Sequence, residues 1–230
     1  MSLTKYLLFK YLRFDKTQPF IMLSALLAFL GVGVGLMVLI VAMAIMNGFD
    51  KEFERKLFTM NYPITILSAI RGNIDESDVN ELKQKFPNLK FSPYIMSQVI
   101  IKGANSFEGG LLFGVNSADE KQINSVVAAG LGDRELDGYG LLVGQSVKKQ
   151  KMIKEKKKLT LIFTKNDPSG FALTPKMKRF DVVSSFSSGL VAYDKSYLYT
   201  SVEALRKILE YDEGKFDGIH VFSNDPFADI

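Results

Sequence analysis

An uncharged run near the N-terminus constrains this chain more than any other feature. No charged residue lies within 17–49, and residues 20–46 are apolar apart from Ser24 and the glycines. As a helix this segment would extend about 40 Å, against about 30 Å for the hydrocarbon core of a bilayer. A secretory signal peptide is the alternative, since Ala42 and Ala44 form a small-x-small cleavage pattern, but its apolar core is typically only ~7–15 residues. We therefore predict one membrane-spanning helix.

The charges that flank the run predict its orientation. The N-terminal flank carries a net charge of +3, whereas the charged residues directly after the run sum to zero. Because positively charged flanks stay on the cytoplasmic side, the N-terminus is expected in the cytoplasm and the remainder is exported. The predicted organisation is a cytoplasmic interfacial segment (1–18), a transmembrane helix (19–49) and an exported core domain (50–230). Of the whole-chain charge of +4, only +1 remains for that domain, so no nucleic-acid partner is expected.

Small residues form a stripe along the predicted span. Gly31 and Gly35 form a GxxxG pattern on this stripe, which allows a second helix to approach to backbone contact. The alternative is that they reflect only the general frequency of glycine in membrane helices. We predict that Gly31 and Gly35 pack against another membrane helix.

The exported part is long enough for one domain with a hydrophobic core. Apolar periodicity and turn residues predict a mixture of strands and helices in an α+β fold. Strands are predicted at 64–67, 90–102, 110–115, 141–144, 159–163, 178–186, 196–201 and 217–223, and helices at 79–86, 117–129 and 202–211.

Residues that usually carry catalysis are sparse. The chain has no cysteine, contains no GxxxxGK[ST] phosphate-binding loop, and has one histidine, His220, in a predicted strand. A core or surface role suits this histidine better than a ligand role, and the remaining carboxylates show no metal-ligand spacing. Ser146 lies two residues after Gly144 but lacks the second glycine of a nucleophile elbow. We predict no enzymatic activity, no catalytic residue, no metal site and no cofactor in this chain.

Residues 148–158 contain seven lysines and one glutamate. A solvated turn or helix end accounts for them best, because no aromatic residues are interleaved for base stacking. Contact with anionic lipid headgroups is the alternative if the turn faces the membrane.

The segment 164–178 is an unusually long connection between two predicted strands. It places the apolar residues Phe171 and Leu173 between Pro168 and Pro175. Long loops that carry apolar side chains often bind partners, so we predict an exposed binding hairpin. In the alternative, these side chains fold back onto the domain's own core.

Four stretches occur in a characteristic order: KYLR near the N-terminus, GVGVGLMVLIVAMAIMNGF in the span, then LLVGQSV, and finally KRFDVVSSF. In this order they resemble the transmembrane permease subunit of the lipoprotein-releasing ABC transporter of Gram-negative bacteria, the LolC/LolE type. The MNGF stretch after a glycine-rich first span is the most specific of the four.

The resemblance implies a bacterial inner-membrane protein whose periplasmic domain lies between its first and second spans. It implies a cytoplasmic ATPase subunit that uses ATP, a second permease subunit, lipoprotein cargo, contact with membrane lipid, and a periplasmic lipoprotein carrier. The carrier would bind a hairpin, the hook, at 164–178. The implied hook residues are Pro168, Phe171, Leu173 and Pro175, and the implied apolar cavity for the lipoprotein is lined by Val38, Val41, Ile45, Met46 and Phe49.

Two features depart from the family pattern. Family permeases have three further spans after the periplasmic domain, so this chain is expected to be the N-terminal portion of one. The lysine run also stands where a milder turn is expected. Two alternatives remain: a single-span receptor with an exported ligand-binding domain, and a permease of the macrolide-efflux type, which shares the architecture.

Overall fold

The computed structural model describes residues 3–12, 19–68, 72–103, 106–150, 158–164 and 175–223. In chain order its elements are α1 (Leu3–Leu12), α2 (Pro19–Asn61), β1 (Ile64–Leu67), β2 (Ile74–Asp75), α3 (Glu76–Lys85), β3 (Lys90–Lys102), β4 (Phe107–Val115), α4 (Ser117–Ile123), α5 (Ser125–Leu131), β5 (Gly140–Gly144), α6 (Gln145–Gln150), β6 (Lys158–Thr164), β7 (Pro175–Phe186), α7 (Val191–Ser196), β8 (Tyr197–Ser201), α8 (Val202–Leu209), β9 (Lys215–Phe216) and β10 (Gly218–Phe222). The predicted α+β class, with an N-terminal apolar helix before a mixed domain, is confirmed.

Residues 19–49 of the uncharged run lie in α2, the one helix among the described residues that is long and apolar enough to cross a membrane. Proline suits the first turn of a helix because it lacks the N–H that would be unsatisfied there, and α2 begins at Pro19. The helix continues past Phe49 to Asn61. The chain divides into two compact units, Met1–Glu54 and Arg55–Ile230.

Six strands of the second unit close into a barrel. The long strand β3 pairs with β4 along one edge, and β4, β8, β5, β7 and β6 follow in order. The circle closes because the second half of β3 pairs with β6, with Val99 opposite Phe163. On the same edge, the first half of β3 pairs with β10, which in turn pairs with β1.

The barrel is filled by apolar side chains that alternate along its strands. Leu141 and Val143 of β5 belong to this interior cluster, while Leu142 between them packs on the outside under α5. Helices α6 and α8 follow β5 and β8, which run antiparallel, so the two helices lie at opposite ends of the barrel. Each contributes apolar side chains to the interior, including Val147 from α6 and Leu205 from α8.

Helix α8 approaches the barrel most closely over β4. A Cβ atom at Gly114 would lie 2.9 Å from the Cβ atom of Leu205, too close for any side chain. Glycine at this position therefore allows α8 to pack closely against the sheet.

Candidate functional site

The residues predicted to line a lipoprotein cavity lie on α2. All of them are exposed, from 47% for Val41 to 67% for Ile45. At 100° per residue, they share an arc of about 140° with Gly31 and Gly35, where a Cβ atom would meet nothing within 4 Å. The glycines predicted to pack against another helix and the residues predicted to line the cavity therefore lie on the same side of α2. The glycines lie nearer the beginning of the helix. The full cavity set is Val38, Val41, Ile45, Met46 and Phe49.

The predicted hook corresponds to the connection between β6 and β7. These strands pair antiparallel, with Thr164 opposite Pro175 at the end of the ladder. Pro175 is the first residue of β7 and is exposed. Pro168, Phe171 and Leu173 lie outside the described residues. Residues 175–178 of the predicted hook (164–178) therefore belong to strand β7, because they pair with β6, and the connection between the strands is shorter than predicted.

The stem is held to the rest of the domain by contacts on β7. Lys176 Nζ lies 2.5 Å from Oε1 of Glu210, the C-cap residue directly after α8. Lys178 Nζ lies 3.9 Å from the centroid of the Tyr139 ring, which is a favourable cation–π distance. Both lysines lie on the same face of β7 as Phe180, which belongs to the barrel interior, and they connect the stem to the rest of the domain.

The half-buried carboxylate of Asp217 lies in the fork where β6 and β10 diverge along the same edge of β3. Asp217 Oδ2 accepts a hydrogen bond from the Met96 backbone N–H at 2.7 Å, and Asp217 Oδ1 accepts one from the Tyr211 hydroxyl at 2.6 Å. Burial and this bond to a carboxylate raise the pKa of Tyr211. Asp217 thereby satisfies the β3 backbone where strand pairing stops.

A second polar group, which we call the Glu120 cluster, lies where α2 meets the barrel. Glu120 has no exposed surface. Its Oε1 accepts a hydrogen bond from the Tyr62 hydroxyl, and its Oε2 accepts one from Ser92 Oγ at 2.7 Å. Asn124 Nδ2 donates to the Tyr62 hydroxyl at 2.9 Å, while Asn124 Oδ1 caps α5. The cluster comprises Tyr62, Ser92, Glu120, Asn124, Tyr199 and His220.

His220 completes the cluster from β10. Its ring is sandwiched between Tyr62 and Tyr94, with centroid distances of 3.6 and 4.0 Å. His220 Nδ1 lies 4.0 Å from Glu120 Oε2. The sequence left a core and a surface position open for this histidine, and the structure shows the core position, since His220 is only 4% exposed.

The cluster makes the tyrosine hydroxyls hard to ionise. Burial first, and then the negative charge of Glu120, raise the pKa of Tyr62 and of Tyr199. Tyr62 also adopts a left-handed backbone conformation, with φ of 56°, which costs roughly 1–3 kcal/mol in a residue other than glycine. The hydrogen bonds of Tyr62 hold this sharp turn at the end of α2. The cluster is therefore suited to fixing the chain where the helix enters the domain.

Sequence reasoning missed the Glu120 cluster except for His220. The signal was present in the helix predicted over 117–129, because Glu120 and Asn124 lie three residues before the apolar residues Ile123 and Val127. This spacing puts them on the inward face of the helix. Among the described residues, no group of three or more histidine, aspartate and glutamate side chains is arranged to hold a metal ion.

Curated relatives cover nearly the whole chain. The lipoprotein-releasing system transmembrane protein LolC of Neisseria meningitidis is 23% identical over 222 residues, which are 92% of this chain and 52% of LolC. The corresponding LolE of Haemophilus influenzae is 23% identical over 240 residues, 99% of this chain and 56% of LolE. The predicted resemblance is confirmed, and the chain spans about half the length of the curated relatives it matches.

The chain is also similar to proteins other than LolC and LolE. The solved periplasmic region of MacB from Actinobacillus actinomycetemcomitans is 18% identical, with a TM-score of 0.46 over 70% of this chain and 74% of that one. The family model of the MacB-like periplasmic core domain matches residues 25–214. This match covers the greater part of the 230 residues. The chain belongs to the MacB-like periplasmic core domain family.

Proposed function

We propose that this chain acts as a permease subunit of an ABC transporter that extracts lipoproteins from the inner membrane and passes them to a periplasmic carrier. The observation that carries the proposal is the similarity to LolC and LolE over 92% and 99% of the chain, which takes in both the apolar helix and the domain. The family match is consistent with this architecture.

In this proposal one side of α2 both packs against a neighbouring membrane helix and contacts the lipoprotein. Gly31 and Gly35 leave room for a neighbouring membrane helix, since no atom lies within 4 Å of a Cβ built at either. The exposed apolar side chains farther along, including Val38 and Ile45, contact the acyl chains of the lipoprotein. A second permease subunit, the same or a related chain, supplies the facing helix.

The hook segment is proposed to bind the lipoprotein carrier. The paired stem brings Thr164 and Pro175 together, so the ten residues between them form one connection. Within it, Phe171 and Leu173 are the apolar side chains offered to the carrier, and Pro168 and Pro175 restrict the backbone, which lowers the entropy lost on binding.

The energy for release comes from a separate subunit in this proposal. A cytoplasmic ATPase binds and hydrolyses ATP, and the chain described here lacks the GxxxxGK[ST] sequence that such chemistry uses. The net positive N-terminal flank supports a cytoplasmic N-terminus and a periplasmic barrel domain in this proposal.

The test is depletion of the protein in the bacterium that encodes it, followed by separation of inner and outer membranes. Lipoproteins destined for the outer membrane should accumulate in the inner membrane, and the protein should co-purify with an ATPase subunit and a lipoprotein carrier. Unchanged lipoprotein distribution together with increased macrolide sensitivity would contradict the proposal and support a macrolide-efflux permease instead.

A further inference from the structure

An open groove with a volume of about 450 Å³ lies between the end of α3 and the strands β1 and β10. We call it the α3 groove; its lining includes Ile64, Ile66, Leu82, Lys85, Phe86 and Asn88. The two isoleucines and Leu82 pack on the buried apolar cluster that includes Val221, yet they remain only half-buried. Apolar side chains therefore line a space that no described residue fills.

The groove exists because the end of α3 leaves this part of the sheet incompletely covered. Val79 is the one residue of α3 that is fully buried. The helix ends at Lys85, and Pro87 cannot continue it because proline lacks the N–H of a helical hydrogen bond. Among the described residues β1 pairs only with β10, so no strand lies beyond it. The groove is thus accessible along the outer strand of the sheet.

The groove contains one charged side chain, and its charge is positive. Lys85 is exposed and has no ion-pair partner among the described residues. The remaining lining residues carry no charge. A second cavity beside α3, of about 210 Å³, differs because its lining includes the carboxylates of Glu76, Asp119 and Glu203. The α3 groove therefore combines apolar surface with a single unpaired cation, which favours an apolar ligand that carries a negative charge.

We propose that the α3 groove binds a fatty acid. The acyl chain packs on Ile64, Ile66 and Leu82, and the carboxylate pairs with the Lys85 ammonium group. The volume lies within the range of small-molecule sites, about 300–1,000 Å³, and such sites are mostly apolar with a few polar groups that fix the ligand's orientation. A fatty acid matches this arrangement because it joins one long apolar chain to one negative charge.

An extended peptide that pairs with the outer edge of β1 is the competing occupant. Recognition of this kind relies on main-chain hydrogen bonds along the edge. Strand β1 has only four residues, Ile64–Leu67, so it offers few of them. Main-chain pairing also leaves the unpaired charge of Lys85 without a role. The charge and the shortness of the strand together favour the fatty acid.

Photocrosslinking tests the proposal on the full chain in phosphatidylcholine nanodiscs. The probe is a palmitic acid analogue with a diazirine in its acyl chain, and the comparison probe is the corresponding primary alcohol, which is uncharged. Mass spectrometry of peptic peptides identifies the labelled segments. We expect the acid to label 64–67 and 82–91 in a saturable way, and unlabelled palmitate to prevent this labelling. The alcohol should label these segments about fivefold less, because it lacks the ion pair with Lys85.

Two variants and their controls test the charge and the apolar surface separately. Lys85→Glu should lower labelling by the acid at least about fivefold and leave labelling by the alcohol unchanged. Its control is Lys207→Glu, at an exposed lysine in the last turn of α8, which should have no effect. Ile66→Trp should fill the groove and abolish labelling by both probes. Thr65→Trp, at an exposed position on the opposite face of β1, should not.

A melting curve of each variant establishes whether it folds, and Lys85→Glu decides the question if Ile66→Trp does not. The proposal is overturned if the acid and the alcohol label the groove equally, or if Lys85→Glu behaves like Lys207→Glu. It is also overturned if neither probe labels the groove, as when a peptide occupies it.

The inference is independent of lipoprotein transport, because every residue that lines the groove belongs to the unit Arg55–Ile230. Saturable labelling in a protein that fails the lipoprotein depletion test would leave this inference standing and reject only the proposed transport function.

Discussion

Removing the hydroxyl of Tyr62 should weaken the domain far more than the same change at the half-buried Tyr193 nearby, whose hydrogen bond is exposed to solvent. In Tyr62→Phe the ring still stacks on His220, and the backbone turn at the end of α2 is unchanged. The variant removes one donor to the buried Glu120 carboxylate and the acceptor for Asn124 Nδ2. The change therefore isolates the hydrogen bonds of the Glu120 cluster from its apolar packing.

The expected size follows from burial. A hydrogen bond to a charged group contributes about 1.5–3 kcal/mol and a neutral one about 1 kcal/mol, and the groups left behind are fully buried. We expect a loss of about 3 kcal/mol in the free energy of unfolding. For a domain of this size that lowers the melting temperature by about 6–12 °C.

The assay is thermal unfolding of the full chain in detergent, with Tyr193→Phe as the control. Tyr193 also donates a hydrogen bond at the end of α2, to Asn61, but that contact is exposed. Its loss should cost less than about 1 kcal/mol. If Tyr62→Phe is as mild as Tyr193→Phe, the Glu120 cluster does not fix the chain at this point.

Three further predictions concern pH, helix packing and the hook. Burial raises the pKa of Tyr199 in the folded state above the unfolded value of about 10, so the stabilisation from its protonated hydroxyl is present below pH 10 and is lost as pH rises above it. Tyr199→Phe should therefore make the fall in unfolding free energy between about pH 10 and 11 less steep. If denaturant titrations show the same change in unfolding free energy with pH for both proteins, this prediction is wrong. Gly35→Leu should reduce co-purification with the second permease subunit, whereas Val38→Leu, on the same side of α2, should not, and equal effects would remove any special role for the glycine. Phe171→Ala should weaken carrier binding about ten- to a hundredfold without lowering the melting temperature. The control, Met177→Ala in the exposed stem, should change the affinity for the carrier little. A large loss of stability in Phe171→Ala with unchanged carrier binding would show that the phenylalanine belongs to the core.

Most strands and helices could be predicted because their apolar spacing is local. The strand at His220 and the helix over 202–209 follow their periodicity directly. The helix predicted over 117–129 is wrong in one respect, since Asn124 ends α4 and caps α5 instead of continuing one helix. An asparagine side chain that bonds the next backbone N–H groups competes with the helical hydrogen bonds, and propensity alone does not indicate which prevails.

The closed barrel and the Glu120 cluster could not be predicted because they depend on contacts distant in sequence. Closure requires Val99 to meet Phe163, and nothing local to either strand specifies that partner. The cluster joins Tyr62, Glu120 and His220 from three separate elements. A carboxylate in a polar helix normally faces solvent, so its burial becomes evident only when the partners are in place.

The central claim is tested most directly by a release assay with the complete transporter. The protein and the ATPase subunit that co-purifies with it are reconstituted in proteoliposomes with an acylated lipoprotein, and the lipoprotein recovered on soluble carrier is measured. The account predicts transfer that requires both ATP and the carrier and that falls with Phe171→Ala. Active ATP hydrolysis without any lipoprotein appearing on the carrier would contradict it.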